Sequence, residues 1–387
     1  MSSQLYIPDP QKLATVEGLC AIVNPYEDFN LLDDMFLKAI REIVNWHQQY
    51  SPFYAKLIES EKFNFRELAS IDDLFRVPYI LANFFKRHEI LSIPKESVYL
   101  HLTSSGTTGQ KSQIFFDEWS IKSAQRMVDW IFAYYGWDTP QTPCNYLLYS
   151  YAPSAAHALG TSYTDNYLCK YAPVKRAHYA LREWRPGDFK FDLWGCVDAL
   201  LAYSREVAPV RIFGFPAFLY YTLVYLKEKN IHLQLDSQSL VFLGGGWKGH
   251  QSEAIDKNEF YQMVEEYLGI PNERIRDGFG SVEHCIPYVE CSQHHFHVPI
   301  WSRVIIRDVK TMGPKKWGEV GYLNFIAPYI TSVPAHSVVM GDLAALYPGT
   351  ECPCGLNTPY FEIVGRAGTS KSRSCAVAAS ELLKEFH

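Results

Sequence analysis

The sequence predicts an α/β fold, with mixed sheets flanked by helices, and three features carry that expectation. β-type apolar runs alternate with segments of helical periodicity along most of the chain. Some of those runs stop abruptly at glycine, as where Ser239-Leu-Val-Phe-Leu243 meets Gly244-Gly245-Gly246. The 387 residues, 48% apolar and 20% charged, suffice for a large core spread over two or three lobes.

Taken in order, residues 32–48 set Met35, Phe36, Ala39, Ile40, Ile43, Val44 and Trp46 at helical spacing, the stripe of an amphipathic helix. Residues 71–91 read as a helical turn, a break at Pro78 and a second short helix. Strands over 98–102 and 113–116 flank a polar loop, and 119–135 is helical. A strand follows at 145–151, a helix at 190–206, and a buried strand from 210 that turns into a helix over 217–229. After the strand 239–243 come a helix at 258–268 and strands at 274–279, 301–308 and 321–326. The expected organisation is an N-terminal helical segment (1–95) packed on an α/β core (96–366), then a short tail (367–387) with a helix starting near Ser374.

Composition removes several function classes. A net charge of −6 without a polybasic run offers no field for nucleic acid. The N-terminus lacks a charged region followed by an apolar stretch, and no run is long enough to span a membrane, so a cytoplasmic protein is expected. Nine cysteines, odd in number and scattered, suit reduced thiols, a metal site or a nucleophile better than disulfides. Aromatics at 15%, with 26 Tyr and 23 Phe, suit pockets lined by rings.

Chemistry concentrates in three places. Residues 102–112 read Leu-Thr-Ser-Ser-Gly-Thr-Thr-Gly-Gln-Lys-Ser. Thr103, Ser104, Ser105, Thr107 and Thr108 can donate hydroxyls to phosphate oxygens, Gly106 and Gly109 let the backbone approach, and Lys111 adds a charge. Flanking strands distinguish the run from a Walker A loop, which enters a helix; a solvated turn is the alternative. Gly244–Gly246 and Asp277-Gly278-Phe279-Gly280-Ser-Val-Glu283 end two further strands, where open α/β sheets bind ligands. Glu283 suits Mg²⁺ bridged to phosphates, the alternative being a helix first-turn carboxylate.

The ordered set Thr103–Lys111, Gly244–Gly246, Asp277–Glu283, Gly341-Asp342-Leu343 and Gly365-Arg366 resembles adenylate-forming enzymes over most of the chain from about residue 70. The resemblance implies a phosphate loop, an adenine-side glycine turn, a metal motif ending at Glu283, a ribose-binding Asp342 and a hinge-side Arg366, with ATP and Mg²⁺ as cofactors. More closely, Ser70-Ile-Asp-Asp-Leu74, Gly244-Gly-Gly-Trp-Lys248, Ile275-Arg-Asp277, His297-Val-Pro-Ile-Trp301 and a cysteine near the C-terminus resemble the LuxE-type acyl-protein synthetases.

One departure bears on mechanism. The superfamily's usual C-terminal lobe follows the hinge, and residues 367–387 are too few to form it, so an N-terminal-type lobe alone is expected. The tail carries Cys375 beside Lys371 and Arg373, cations that favour thiolate. The resemblance implies that Cys375 accepts the acyl group from acyl-AMP and passes it to a LuxC-type acyl reductase, which makes an aldehyde with NADPH. The alternative for Cys375 is a small buried residue in an Ala-rich helix. The acid is expected to be a fatty acid, with Phe213-Gly-Phe-Pro-Ala-Phe-Leu-Tyr-Tyr221 either lining its pocket or forming core; His157 is a further candidate there.

Cys291-Ser-Gln-His294-His295-Phe-His297 and Cys352-Pro-Cys354-Gly355 offer cysteine and histidine in tetrahedral Zn²⁺ numbers, although Cys-x-Cys strains one chelate ring. The stretch resembles phenylacetate–CoA ligase relatives, which implies Cys291, His297, Cys352 and Cys354 as a structural set. Free cysteines and surface histidines are the alternative. Two other functions remain open: an aryl- or acyl-CoA ligase of the phenylacetate type, and a zinc-stapled scaffold subunit without catalysis.

Overall fold

A computed structural model describes residues 5–103, 113–153, 167–185, 188–247 and 250–367. The stripe expected over 32–48 forms a longer helix, Phe29–Tyr50. It starts where the Asp28 carboxylate accepts the Asn30 N–H, and ends at Ser51, which caps the next helix, Pro52–Ser60. Phe36, Ala39, Ile40, Ile43 and Val44 are fully buried. Over 71–91 the expected helices are two 3₁₀ turns, Ile71–Arg76 and Ala82–Lys86, with a two-residue strand β1 (Ile80–Leu81) between them. The Asp73 carboxylate holds the first turn by accepting the Ala69 and Ser70 N–H groups.

β2 (Leu100–Thr103) and β3 (Gln113–Phe116) pair antiparallel, with Thr103 opposite Gln113. The central sheet comprises β4 (Cys144–Tyr151), β5 (Val174–Arg185), β6 (Asp188–Phe191), β7 (Val210–Gly214), β8 (Leu240–Gly244), β9 (Ile275–Phe279) and β10 (Tyr288–Val289). Its order is β10-β9-β8-β7-β4-β5-β6, parallel from β9 to β5 with antiparallel edge strands. The helix expected over 190–206 is shorter, Leu193–Tyr203, because Asp188-Phe-Lys-Phe191 alternates with period two as β6 and Asp192 caps the helix behind it.

One face of this sheet presents Leu147, Ile212, Val241 and Ile275 to the helices Leu193–Tyr203, Pro216–Glu228 and Lys257–Leu268. The other presents Tyr146, Leu148, Phe213 and Leu240 to the helix Glu118–Tyr134 and a core shared with the N-terminal helices and a second sheet. That sheet runs β11 (Phe296–His297), β15 (Tyr360–Arg366), β14 (Ser337–Tyr347), β13 (Gly321–Ile326) and β12 (Arg303–Arg307), antiparallel, with β1 added in parallel to β14.

The N-terminal helices are bonded to the segment before β14. The Trp46 indole N–H donates to the Thr331 carbonyl at 2.8 Å, His47 reaches the Ile330 carbonyl at 3.1 Å, and the Ser92 N–H donates to the Ser332 carbonyl at 2.8 Å. Thr331 also bonds Asp117 and Ser120. No helix among the described residues is long and apolar enough to cross a membrane.

Candidate functional site

β8 and β9 are parallel neighbours whose C-terminal ends coincide, Leu243 beside Asp277 and Gly244 beside Gly278. Two glycine-bearing motifs therefore form one crest at the edge where such sheets take ligands. Gly245 and Gly246 turn the chain away with φ of 76° and 66°, a region that disfavours side chains. At Gly278 a Cβ would stand 2.8 Å from the Phe242 ring, so close packing requires the glycine. Gly280 follows β9, and Thr103 ends β2.

Glu283 lies in a turn at residues 282–284 and is 5% exposed. No helix begins there, so the first-turn alternative does not apply. Asp277 is held by its own Oδ1 accepting the Gly278 N–H at 2.9 Å; burial pushes its carboxyl up, opposed by the Lys257 ammonium. Cys285, between the motif and β10, is pushed up to about 12 by burial, so it remains a thiol.

The crest abuts the second sheet. The Phe279 ring lies 5.9 Å from both Phe325 on β13 and Phe361 on β15, and Ser281 touches Met340 on β14. Two positions further on β14, Asp342 faces Arg366 of β15, whose Nε–H donates to its carboxylate at 3.1 Å. The ribose-side and hinge-side candidates thus form one ion pair. Of the aromatic run, Phe213 and Phe215 are fully buried core, while Phe218, Tyr220 and Tyr221 are half-buried beside Trp247 and His250. Ser104, Ser105, Gly106, Thr107, Thr108, Gly109, Lys111, His157, Lys248, Lys371, Arg373 and Cys375 lie outside the described residues.

A second centre forms where β11 pairs with β15. Cys291, His297, Cys352 and Cys354 bring one ligand atom each to within 4.8 Å of one another. The Cys291 and Cys352 sulfurs are 3.7 Å apart, far beyond a disulfide bond and close to the roughly 3.8 Å edge of a tetrahedron with Zn–S bonds of about 2.3 Å. His297 Nδ1–H donates a hydrogen bond to the Thr358 carbonyl at 2.7 Å, which leaves the Nε2 lone pair aimed at Cys354 Sγ, 3.3 Å away. Burial holds this imidazole neutral, its pKa down to about 4. Backbone N–H groups of Gln293 and Leu356 donate to Cys291 and Cys354 sulfurs, and left-handed His294 and Gly355 close the two turns. Charge-compensating N–H···S bonds and an oriented imidazole are what a thiolate-rich metal centre requires.

Two residues around these centres, Glu290 and Lys257, escape sequence reasoning, and one histidine of the ligand run falls outside the ligand set. His295 places Nδ1 3.2 Å from Cys352 Sγ, just outside the four ligands. Glu290 and Lys257 pair beneath Asp277, fully buried on the carboxylate side. A lone Glu between a glycine motif and a Cys/His run carries no local pattern that would single it out.

A family profile described as "Acyl-protein synthetase, LuxE" matches residues 24–384. The chain belongs to the LuxE family. LuxE-family relatives named long-chain-fatty-acid–luciferin-component ligase include one from Aliivibrio fischeri, 25% identical over 96% of this chain and 94% of its own. Another, from Vibrio harveyi, is 25% identical over 80% of this chain and 79% of its own. In fold the chain is similar to an open conformation of 2-hydroxyisobutyryl-CoA ligase in complex with 2-HIB-AMP and CoA: TM-score 0.63, 15% identity, 95% of this chain and 81% of that one. The same ligase in its postadenylation state has a TM-score of 0.63 over 73% of its length. This LuxE-family chain is therefore an acid–thiol ligase by family, its fold is similar to that of the CoA ligase, and the α/β expectation holds.

Proposed function

We propose that the enzyme activates a fatty acid with ATP as acyl-AMP, loads the acyl group onto Cys375, and hands it to a partner acyl reductase that forms an aldehyde with NADPH. The family match over 24–384 carries the reading, because one match includes both the crest and Cys375. The names of the two bacterial relatives favour a long-chain acid.

In the first step a carboxylate oxygen attacks the α-phosphorus and pyrophosphate leaves. Backbone and hydroxyl donors of 103–109 and the Lys111 ammonium receive the phosphates, Gly244–Gly246 border the adenine, Asp277–Gly280 lead the metal motif into the nucleotide site, Asp342 takes the ribose, and Arg366 holds Asp342. Glu283 would hold Mg²⁺, which neutralises charge on the phosphates. In the second step the Cys375 sulfur forms a bond to the acyl carbon as the C–O bond to AMP breaks.

Lys111→Ala and Glu283→Ala should each lower acid-dependent ATP–pyrophosphate exchange by about 10²-fold; unchanged exchange removes that residue from the site. With ATP, Mg²⁺ and a panel of acids, the wild type should release AMP and gain acyl mass. Free acyl-CoA on adding CoA would instead indicate a CoA ligase, and neither product a scaffold.

The Cys/His cluster is proposed to hold a structural Zn²⁺, since four protein ligands leave no open position for substrate. Emission spectroscopy should find one zinc per chain, and chelation should lower the melting temperature. No metal, or an unchanged melt after its removal, contradicts the assignment.

A further inference from the structure

We propose that Glu290 is a positioning residue through which the Cys/His cluster sets the nucleotide crest. The inference rests on the adenylation reading above, and it assigns the metal a role in nucleotide affinity as well as in stability.

The Glu290 carboxylate is wholly buried and gathers four groups from three elements. Its Oε2 accepts the Asp277 main-chain N–H at 2.8 Å, the Tyr261 hydroxyl at 2.9 Å and His294 Nδ1 at 3.3 Å, while Oε1 pairs with the Lys257 ammonium. The Glu290 N–H donates back to the Asp277 carbonyl at 3.1 Å, so Asp277 is gripped on both sides of its backbone. Asp277 in turn bonds Gly278, the crest residue beside Gly244.

The other end of this network is the ligand turn. Glu290 is bonded directly to Cys291, the first cluster residue. His294 sits at the tip of that turn with φ of 61°, its N–H on the Cys291 carbonyl, and its ring bridges Glu290 and Asn272. Closing the turn on a metal thus fixes His294, which fixes the carboxylate, which fixes the Asp277 N–H. An ion pair serving stability alone needs only Lys257; the bonds to the β9 main chain and to the turn are what transmit position. Coupling of this kind between two sites typically amounts to about 5-fold or more in affinity.

The test is MgATP binding by calorimetry to the full chain, metal-loaded and chelated, with folding checked by circular dichroism. In the wild type, metal removal should weaken MgATP binding about 5-fold or more while the fold persists. Glu290→Gln should weaken binding in the loaded protein and abolish the dependence on metal. Since that variant leaves Lys257 uncompensated, His294→Asn provides the second arm: asparagine tolerates the left-handed backbone, and all four cluster residues and the Lys257–Glu290 pair remain. It should bind one metal, melt near the wild type, and show a loaded-to-chelated affinity ratio of about one. Wild-type affinity indifferent to metal, or a ratio retained in both variants, overturns the positioning role alone. Absence of MgATP binding in either state overturns the adenylation reading and this inference with it.

Discussion

Cys375→Ala should eliminate covalent acylation and leave acyl-AMP formation within about twofold of the wild type. The expectation follows from competition among the thiols. Burial pushes Cys20 and Cys285 up to about 12 and Cys196 higher still, so each is locked as a thiol at neutral pH. Cys291, Cys352 and Cys354 are committed to one another and to His297. Cys375 instead has Lys371 and Arg373 within four positions, and an ordinary cysteine already carries a few per cent thiolate at pH 7. Intact mass after incubation with ATP, Mg²⁺ and a long-chain fatty acid reads the transfer, and pyrophosphate exchange reads the activation. Half-buried Cys169 is the control: Cys169→Ala should still be labelled. Acyl mass on the Cys375→Ala protein would end the self-acylation account.

The second large effect is loss of stability in mild acid, centred on buried histidines rather than carboxylates. His284 is wholly buried, bonded to the Tyr288 hydroxyl at 2.8 Å and stacked 4.6 Å from Phe325, and burial pushes its pKa down to about 3. His336, bonded to the Tyr54 hydroxyl at 2.7 Å, is likewise pushed to about 3, and its stacking partner His47 also lies well below normal. These groups are neutral when folded and take up protons near 6.5 when unfolded. Their contribution is therefore complete above about pH 6.5 and shrinks as pH falls toward 3. At pH 5 the loss is about 2 kcal/mol for each of His284 and His336, about 4 kcal/mol together. Among the carboxylates, Asp308 is held down to about 2 by backbone N–H donors, so its contribution persists to much lower pH. Urea unfolding at pH 7 and pH 5 should show this difference; equal midpoints would mean that these rings are not held neutral.

Much of the site is legible because its chemistry is spelled locally. Gly244–Gly246 stands at the end of an apolar run whose length predicts a strand that stops there, and Asp277–Glu283 begins within the expected strand 274–279 and leaves it at Gly280. The cluster is different: Cys291 and Cys352 are 61 positions apart, joined by β11 pairing with β15, and only resemblance relates them in sequence. β5 offers no apolar run to read, because eight of its twelve residues are exposed. β14 hides in an apolar run interrupted by Gly341 and Asp342, neither a strand former. Glu290 is invisible for a plainer reason: its partners Lys257, Tyr261 and Asp277 come from a helix and a neighbouring strand, a meeting that only the assembled sheet creates.

The bond from Trp46 to Thr331 spans 285 positions of chain. At a translation rate of about 5–20 residues per second, its two ends leave the ribosome some tens of seconds apart. For that interval Trp46 and His47 lack the 330–331 carbonyls they bond in the finished fold, and a nascent chain with such groups still unpartnered is a natural client for chaperones.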